Sequence, residues 1–438
     1  MTGIKSRKQV FVVGLDDFHL NLLQGLPNAE RYRFVPLLDP SRVVRAKSFD
    51  LPKLLDEACA QIRGGEGRPD ALVGFWDFPS GLMLPILRRD FGLPGPTLES
   101  VLRCEHKYWS RLCQREVMAD QVPDFRVFDP FDEDVRAAIG LDYPFWVKPV
   151  KSHSSHLGFA VHGPGDLDHA VSELRAHIGR FAQPFDHILD RADLPESVRH
   201  VRGRHCIAEE MIATNWQCTL EGWVQDGHVE VYGVVDSVRE GATSSSFSRY
   251  RYPSCLPETA QRHMVESTER LIRHVGLDDS PFNVEFYYDE LQGRIRLLEV
   301  NVRISKSHSP LFERVDGAPN FLVMVATGLG ERPEMPHGQG RDAIAAKFMV
   351  RVYQDGVVTR APNEHELAAL RKELPDVDVQ VHVREGMLLS DLPNQDSYSF
   401  VVADLFIGGQ DEDELLSKYH RALERMPFEI GTASSATG

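Results

Sequence analysis

The sequence predicts a mixed α/β and α+β chain of about three domains, and three observations carry that expectation. The 438 residues are too many for one typical unit, and ~150 residues per domain gives about three. Up to residue 98, short apolar runs alternate with segments of helical spacing, the pattern of a parallel sheet covered on both faces. Between residues 206 and 237, three strand-like runs follow one another with no helical segment between them.

Residues 10–14 (VFVVG) form a first strand, and helical spacing begins over 20–23. Residues 34–38 and 71–75 read as the second and third strands. Helices fall over 53–62, where Leu54, Leu55, Ala58 and Ile62 share a face, and over 82–87. The turn signal Leu93-Pro94-Gly95-Pro96 closes an N-terminal αβ unit, 1–98. A long helical stretch over 99–118 opens a central unit, 99–335. Strands at 125–128 and 145–147, a helix over 166–178, a charged loop-like insertion over 181–204 and a strand at 206–212 make up a subdomain of about 125–215. Strands at 219–224 and 229–237, a Gly/Ser-rich loop over 241–248, a helix over 257–275, strands at 282–288 and 294–304 and a helix over 320–327 follow. A linker over 331–341, with Pro333, Pro336, Gly338 and Gly340, leads to a smaller C-terminal αβ unit, 336–430. Its strands fall near 345–353, 379–383 and 398–405, with a final helix over 411–425. The tail 431–438 is expected to be disordered.

Composition excludes several functions. A net charge of −16 repels phosphate backbones, so nucleic-acid binding is not expected, and any phosphate must be held by locally gathered cations or backbone N–H groups. Nothing approaches the ~20 apolar residues of a membrane span. The six cysteines form no CxxC pair, which argues against a zinc ribbon and fits a reducing compartment. Lys5, Arg7 and Lys8 precede a short apolar run, but Asp16 and Asp17 cut it off before it could serve as a signal peptide. A cytoplasmic protein is expected.

Four segments carry chemistry. On the strand at 294–304, alternation sets Glu299, Asn301 and Arg303 on one face and Leu298, Val300, Val302 and Ile304 on the other. Glu285, on the preceding strand, lies opposite the first set if the hairpin turns at Gln292-Gly293. Two carboxylates and an amide oxygen suit Mg²⁺, a hard cation that also takes substrate phosphates. An arginine beside them neutralises a phosphoryl group in flight. An amphipathic hairpin with a solvated polar face fits the same pattern. Lys148 ends an apolar strand and leads into the small-residue loop at 151–158, a phosphate cradle or a plain surface turn. The run Glu209, Glu210, Met211 and Ile212 suits an adenosine or a strand leaving the core. Lys107 follows Cys104-Glu105-His106 near the start of the long helix, and alone says little.

Order and spacing join these segments. Lys148 lies 41 residues after Lys107, Glu209 61 after Lys148, and Glu299 14 after Glu285. This series resembles the ATP-grasp superfamily over residues 10 to about 425. The resemblance implies a Rossmann-like N-terminal domain, a two-subdomain ATP-binding core that closes on nucleotide, and a small C-terminal unit of the biotin-carboxylase kind. It implies that Lys107 and Lys148 bind the α and β phosphates, that Ser152, Ser154, Ser155 and Gly158 lie in the phosphate loop, and that Glu209, Glu210, Met211 and Ile212 hold the adenine. Gln217 stands where relatives often have a glutamate on the ribose. Glu285, Glu299 and Asn301 would bind Mg²⁺, as two ions in the family pattern, or Mn²⁺ instead, and Arg303 would contact the transferring phosphate. Arg249 and Arg251 fall after the family's mobile loop and either grip a substrate carboxylate, Arg251 with a catalytic part, or are surface arginines. Ser305, Ser307 and Ser309 would line the substrate pocket, and His308 would deprotonate the amine or orient substrate.

The phosphate loop departs from the family in lacking its leading glycines. Biotin carboxylases carry a catalytic glutamate four residues beyond the arginine, where this chain has Ser307, which argues against biotin carboxylation. The resemblance therefore implies an ADP-forming carboxylate–amine ligase working through an acyl phosphate on a small-molecule acid and amine, often as a homodimer. A thiol or hydroxyl acceptor, a carboxylase, or a non-catalytic nucleotide-binding protein are the alternatives.

Overall fold

The computed structural model describes residues 7–44, 46–152, 156–212, 216–239, 246–392 and 399–431. The N-terminal unit runs β1 (Lys8–Val13), α1 (Asp17–Gln24), β2 (Tyr32–Leu37), α2 (Pro40–Val43), α3 (Leu51–Gly64), β3 (Ala71–Val73) and α4 (Ser80–Phe91). Its strands form a parallel sheet in the order β2-β1-β3. Val10, Val12, Ala71 and Val73 are fully buried because helices cover both faces, as the continuous apolar runs require.

The stretch expected as one helix over 99–118 is two, α5 (Leu98–Glu105) and α6 (Lys107–Met118). His106 breaks it: its backbone is extended and its ring is fully buried. Then come β4 (Phe125–Phe128), α7 (Val135–Ile139), β5 (Phe145–Pro149), β6 (Phe159–Val161), α8 (Pro164–His177), α9 (Gly179–Leu189), α10 (Glu196–Arg199) and β7 (Cys206–Glu210), whose strands form an antiparallel sheet, β4-β7-β5-β6. Residues 181–204 are thus largely helical rather than a loop. Phe181, Phe185, Ile188 and Leu189 follow helical spacing and are buried, a face that the flanking charges hid.

The third layer is β8 (Trp216–Gln225), β9 (His228–Val238), β10 (Arg249–Tyr252), α11 (Glu258–Val275), β11 (Ser280–Asp289), β12 (Arg294–Asn301), α12 (Ser309–Asp316) and α13 (Phe321–Gly328). It continues with β13 (Ile344–Val352), β14 (Val357–Arg360), α14 (Glu364–Glu373), β15 (Val377–Val381), β16 (Phe400–Gly409), α15 (Glu412–Arg425) and β17 (Glu429–Gly431). Eight of these strands make one sheet, β12-β11-β8-β9-β10-β13-β16-β15, so the C-terminal strands extend the sheet that carries the β11–β12 hairpin. The N-terminal unit docks on this body through α13: Phe321, Met324 and Val325 pack against Val10, Val12, Val73 and Phe75. A side chain at Gly328 would collide with Val73, so glycine permits the close approach. No helix among the described residues is long and apolar enough to cross a membrane.

Candidate active site

The break at His106 makes Lys107 the first residue of α6, where its backbone N–H donates to Val150 O at 2.9 Å. Lys107 Nζ reaches Glu299 Oε1 at 2.6 Å and Ser152 O at 3.4 Å. Lys148 on β5 sets its Nζ 2.7 Å from Glu209 Oε2 on neighbouring β7. Arg111, one turn along α6 from Lys107, donates Nε to Glu209 Oε1 at 2.7 Å. Its two terminal nitrogens donate to Leu297 O and Leu298 O at 2.8 and 3.0 Å. One arginine thereby ties the linker helix, the four-stranded sheet and the β11–β12 hairpin together.

The hairpin brings Glu285 opposite Glu299 and Asn283 opposite Asn301. A register shift falls beside Glu285, where Phe286 pairs with Leu297 and Leu298 is the extra residue. This corrects the expected core face: Leu297, not Leu298, is fully buried, together with Val300. The strand also ends at Asn301, short of Arg303. Asn301 Nδ2 donates to Asn283 Oδ1 at 3.0 Å and to Glu285 Oε1 at 3.4 Å, while Asn283 Nδ2 donates to Arg303 O at 3.0 Å. Arg303 Nε donates to Asp77 Oδ1 at 2.6 Å. Asp77 lies in the loop after β3, beyond the carboxyl ends of the parallel strands, where open α/β sheets place ligands.

Electrostatics divides the carboxylates. Burial alone would raise the pKa of Glu209, but Arg111 and Lys148 override it and hold it near about 2. Glu299 is likewise kept below the ordinary range by Lys107 and Lys148 against burial. At Glu285 burial and the charge of Glu299 outweigh Arg303, the Gln217 hydrogen bond and Lys107, and push it up to about 7. Burial lowers the pKa of Lys148, whereas contact with Glu299 lifts that of Lys107 despite burial. For Arg303, Asp77 outweighs burial and raises it.

A divalent cation fits this oxygen set. Glu285 stands opposite Glu299, the Asn301 amide reaches Glu285 Oε1 at 3.4 Å, and burial with the charge of Glu299 raises the Glu285 pKa. Among the described residues no group of three or more His, Cys, Asp or Glu side chains gathers into a metal site, so the two carboxylates and the amide are what this chain would offer a cation. Two carboxylates with room for substrate oxygens suit Mg²⁺ better than a closed protein cage would.

Several expected residues take other places. The Glu209 carboxylate is occupied by Arg111 and Lys148, so it buttresses a lysine rather than facing an adenosine. Glu210, exposed, ends β7, and Met211 and Ile212 follow it half-buried. Gln217 bridges Arg239 Nη2 (2.7 Å) and Glu285 Oε2 (2.9 Å), so both ends of its amide are engaged within the protein rather than offered to a ribose. Ser152 is buried and contributes its backbone oxygen to Lys107; Gly158 is buried; Ser154 and Ser155 lie outside the described residues.

Arg249 and Arg251 point away from the Glu285 face. On β10 the pairing of Tyr250 with Ser237, and of Ser237 with Gln217, puts Tyr250 on the Glu285 face of the sheet. Alternation turns Arg249 and Arg251 to the opposite face. There they share Glu412 of α15 at 3.0 and 2.8 Å. His308 is also corrected as a base: it is 3% exposed, its Nδ1 is 2.9 Å from Glu221 Oε1, and Glu221 is fully buried. Glu221 also accepts from the Ser305 N–H and from Tyr232 Oη, and Asn320 Nδ2 donates to Ser305 O at 3.0 Å. Ser305 is therefore anchored through its backbone, Ser307 stays half-buried in the same bend, and Ser309 is buried at the first turn of α12. The residues that sequence reasoning missed are Asp77, Arg111, Asn283 and Glu221. Only Asp77 carried a signal, its place after the third parallel strand.

Residues 252–335 match the family described as the carbamoyl-phosphate synthase L chain, ATP binding domain. Along its whole length the chain is similar to the L-amino acid ligase of Bacillus licheniformis, with 16% identity, a TM-score of 0.70, and 98% of this chain and 100% of that one covered. It is similar to the biotin carboxylase domain of the 2-oxoglutarate carboxylase of Hydrogenobacter thermophilus, a dimer in complex with MgADP and bicarbonate (15%, TM-score 0.61, 97% and 91% covered). The chain has the ATP-grasp fold. An uncharacterised protein of Sinorhizobium fredii is 25% identical over 309 residues, 68% of this chain. Urea amidolyase of Saccharomyces cerevisiae is 24% identical over 250 residues, 54% of this chain. The chain spans 56% of the length of the first of these relatives and 13% of the second.

Proposed function

We propose that this protein is an ATP-dependent carboxylate–amine ligase that forms an amide or peptide bond through an acyl phosphate, releasing ADP and phosphate. The observation that carries this reading is the convergence of Lys107, Lys148, Glu285, Glu299, Asn301 and Arg303 where the two antiparallel sheets meet the N-terminal unit. In the present arrangement the lysines are held by Glu299 and Glu209; nucleotide phosphates would take over those contacts. Glu285, Glu299 and Asn301 would hold Mg²⁺, which would supply charge neutralisation at the phosphate oxygens. Arg303, oriented by Asp77 and by the Asn283 contact to its carbonyl, would stabilise charge on the transferring phosphoryl group and on the adduct formed when the amine attacks. Closure of the four-stranded sheet over the site would exclude water from the acyl phosphate. The whole-length likeness to an L-amino acid ligase supports an amine acceptor. We place the reaction in the cytoplasm, on small-molecule substrates, with a homodimer as the assembly.

The test is phosphate release from ATP and Mg²⁺ in a matrix of carboxylic acids with and without amines. ADP and phosphate formed only with a particular acid–amine pair support the reading. AMP as product sinks the acyl-phosphate route.

A further inference from the structure

We propose that Lys306 binds an oxyanion, a carboxylate or a phosphate, carried by one of the substrates as a group that does not itself react. The proposal rests on the ligase reading for what brings the anion there, but the site stands on its own geometry. Lys306 lies in the bend after β12, three residues beyond Arg303, and its Nζ sits 4.4 Å from the centre of the Trp76 ring. Trp76 is itself fixed, since its Nε1 donates to Gly14 O at 2.9 Å. Gly14 has a φ of +66°, and a Cβ there would meet the indole at 3.0 Å, so the glycine seats the ring.

The charged groups nearest Lys306 are engaged with partners of their own. Arg303 pairs with Asp77 at 2.6 Å, and Lys347 on β13 with Asp404 on β16 at 2.9 Å. Asp404 also takes His382 at 3.0 Å, and Asp16 takes His19 at 2.6 Å. Among the described residues the Lys306 ammonium has no ion pair and no hydrogen bond, and it faces the Trp76 ring. Arg303, Lys306 and Lys347 are three cations against the two carboxylates Asp77 and Asp404, which leaves the group one positive charge in excess.

Lys306 is half-buried, and an ammonium drawn from water without an anion is costly: burial and then Lys347 draw it down to about 8. A lysine with an ordinary surface role would extend into water and lose that penalty. An oxyanion seated on Lys306 would cancel the excess charge and restore a charge-assisted hydrogen bond. The position beside Arg303 puts that anion on the N-terminal side of the reacting centre, so it would choose among substrates by charge. The substrate class is therefore an acid or amine bearing a second anionic group.

The test is calorimetric titration of the full chain with succinate, inorganic phosphate and uncharged succinamide, each with and without Mg²⁺ and a non-hydrolysable ATP analogue. The analogue fills the nucleotide-phosphate site and leaves Lys306 as the remaining anion site. Wild type should bind one anion saturably and ignore succinamide, and the preferred anion decides between carboxylate and phosphate. Lys306→Met should weaken that binding by roughly tenfold or more, and Lys306→Arg should restore most of it. Affinity for the ATP analogue reports on folding of both variants. Absence of saturable anion binding in wild type up to roughly 10 mM, or equal binding by Lys306→Met, overturns the proposal. Lys306-dependent anion binding in a protein that fails to bind the ATP analogue overturns the ligase reading instead and leaves this site standing.

Discussion

Glu285 and Glu299 stand directly opposite each other in the pairing of β11 with β12, yet they are held in different electrostatic states. Burial opposes ionisation of both; Lys107 and Lys148 overcome it at Glu299, whereas at Glu285 the charge of Glu299 adds to it. Lys107 and Lys148 hold Glu299 ionised, while Arg303 and Lys107 act on Glu285 too weakly to do the same.

Glu285→Gln preserves the shape of that seat and an acceptor for Gln217 while removing a hard anionic ligand. We expect the Mg²⁺ concentration for half-maximal ATP turnover to rise by roughly tenfold or more. A magnesium titration of phosphate release checks this; an unchanged midpoint removes Glu285 from the metal site.

Arg303→Ala is expected to lower kcat by about 10²–10³, the usual cost of losing a donor aimed at developing charge. Asp77→Asn keeps the volume but slackens the hold on Arg303, and a fall in kcat of about tenfold with an unchanged KM for ATP is expected. Steady-state kinetics on both variants decides whether Asp77 orients the arginine or merely docks the N-terminal unit.

The contacts of Arg251 with Glu412 are structural. Arg251→Ala should cost about 1–2 kcal/mol in denaturant unfolding and leave the KM for the acid substrate unchanged. A raised KM for the acid at unchanged stability would restore the arginine to the substrate site.

His308→Ala removes one donor from the buried Glu221 and should cost about 1.5–3 kcal/mol. The pH profile of kcat should keep its shape, because a histidine enclosed with a buried carboxylate has no path to a substrate proton. Loss of the rising limb in that profile would make His308 the base after all.

Glu209 is expected to contribute to acid stability. Its folded pKa, about 2, lies below the unfolded value of 4.5, so its contribution is present above pH 4.5 and is lost as the pH falls towards 2. Glu209→Gln leaves Arg111 and Lys148 without their carboxylate, and we expect a loss of about 3–5 kcal/mol at neutral pH. The dependence of stability on pH between those two values should flatten in the variant, as read from urea midpoints along a pH series.

Much of the site was legible because strand periodicity is local. Glu299 and Asn301 follow one another at the spacing that puts side chains on one face, and Glu285 precedes them by the length of a hairpin, so their meeting needed only a turn at Gln292-Gly293. The same alternation, carried across strands, was not legible. Which way Arg249 and Arg251 point depends on how β10 registers with β9, and the sequence around them has no turn short enough to set that register. The bulge at Leu298 was hidden for the same reason: an extra residue on one strand shows only when the partner strand is in place.

By itself the sequence determined the fold class, the alternating N-terminal unit and the order of the lysines, carboxylates and arginine along the chain, since these follow from short-range spacing of apolar and charged residues. Only the tertiary structure decided what those groups touch. That Asp77 meets Arg303, that Arg111 binds Glu209 and the bulge carbonyls, and that Lys306 is left facing Trp76 without a counter-ion all depend on segments up to 226 residues apart being packed together. Pairings between distant charges are settled by burial and by which partner packing brings within reach, and neither quantity exists until the core has closed.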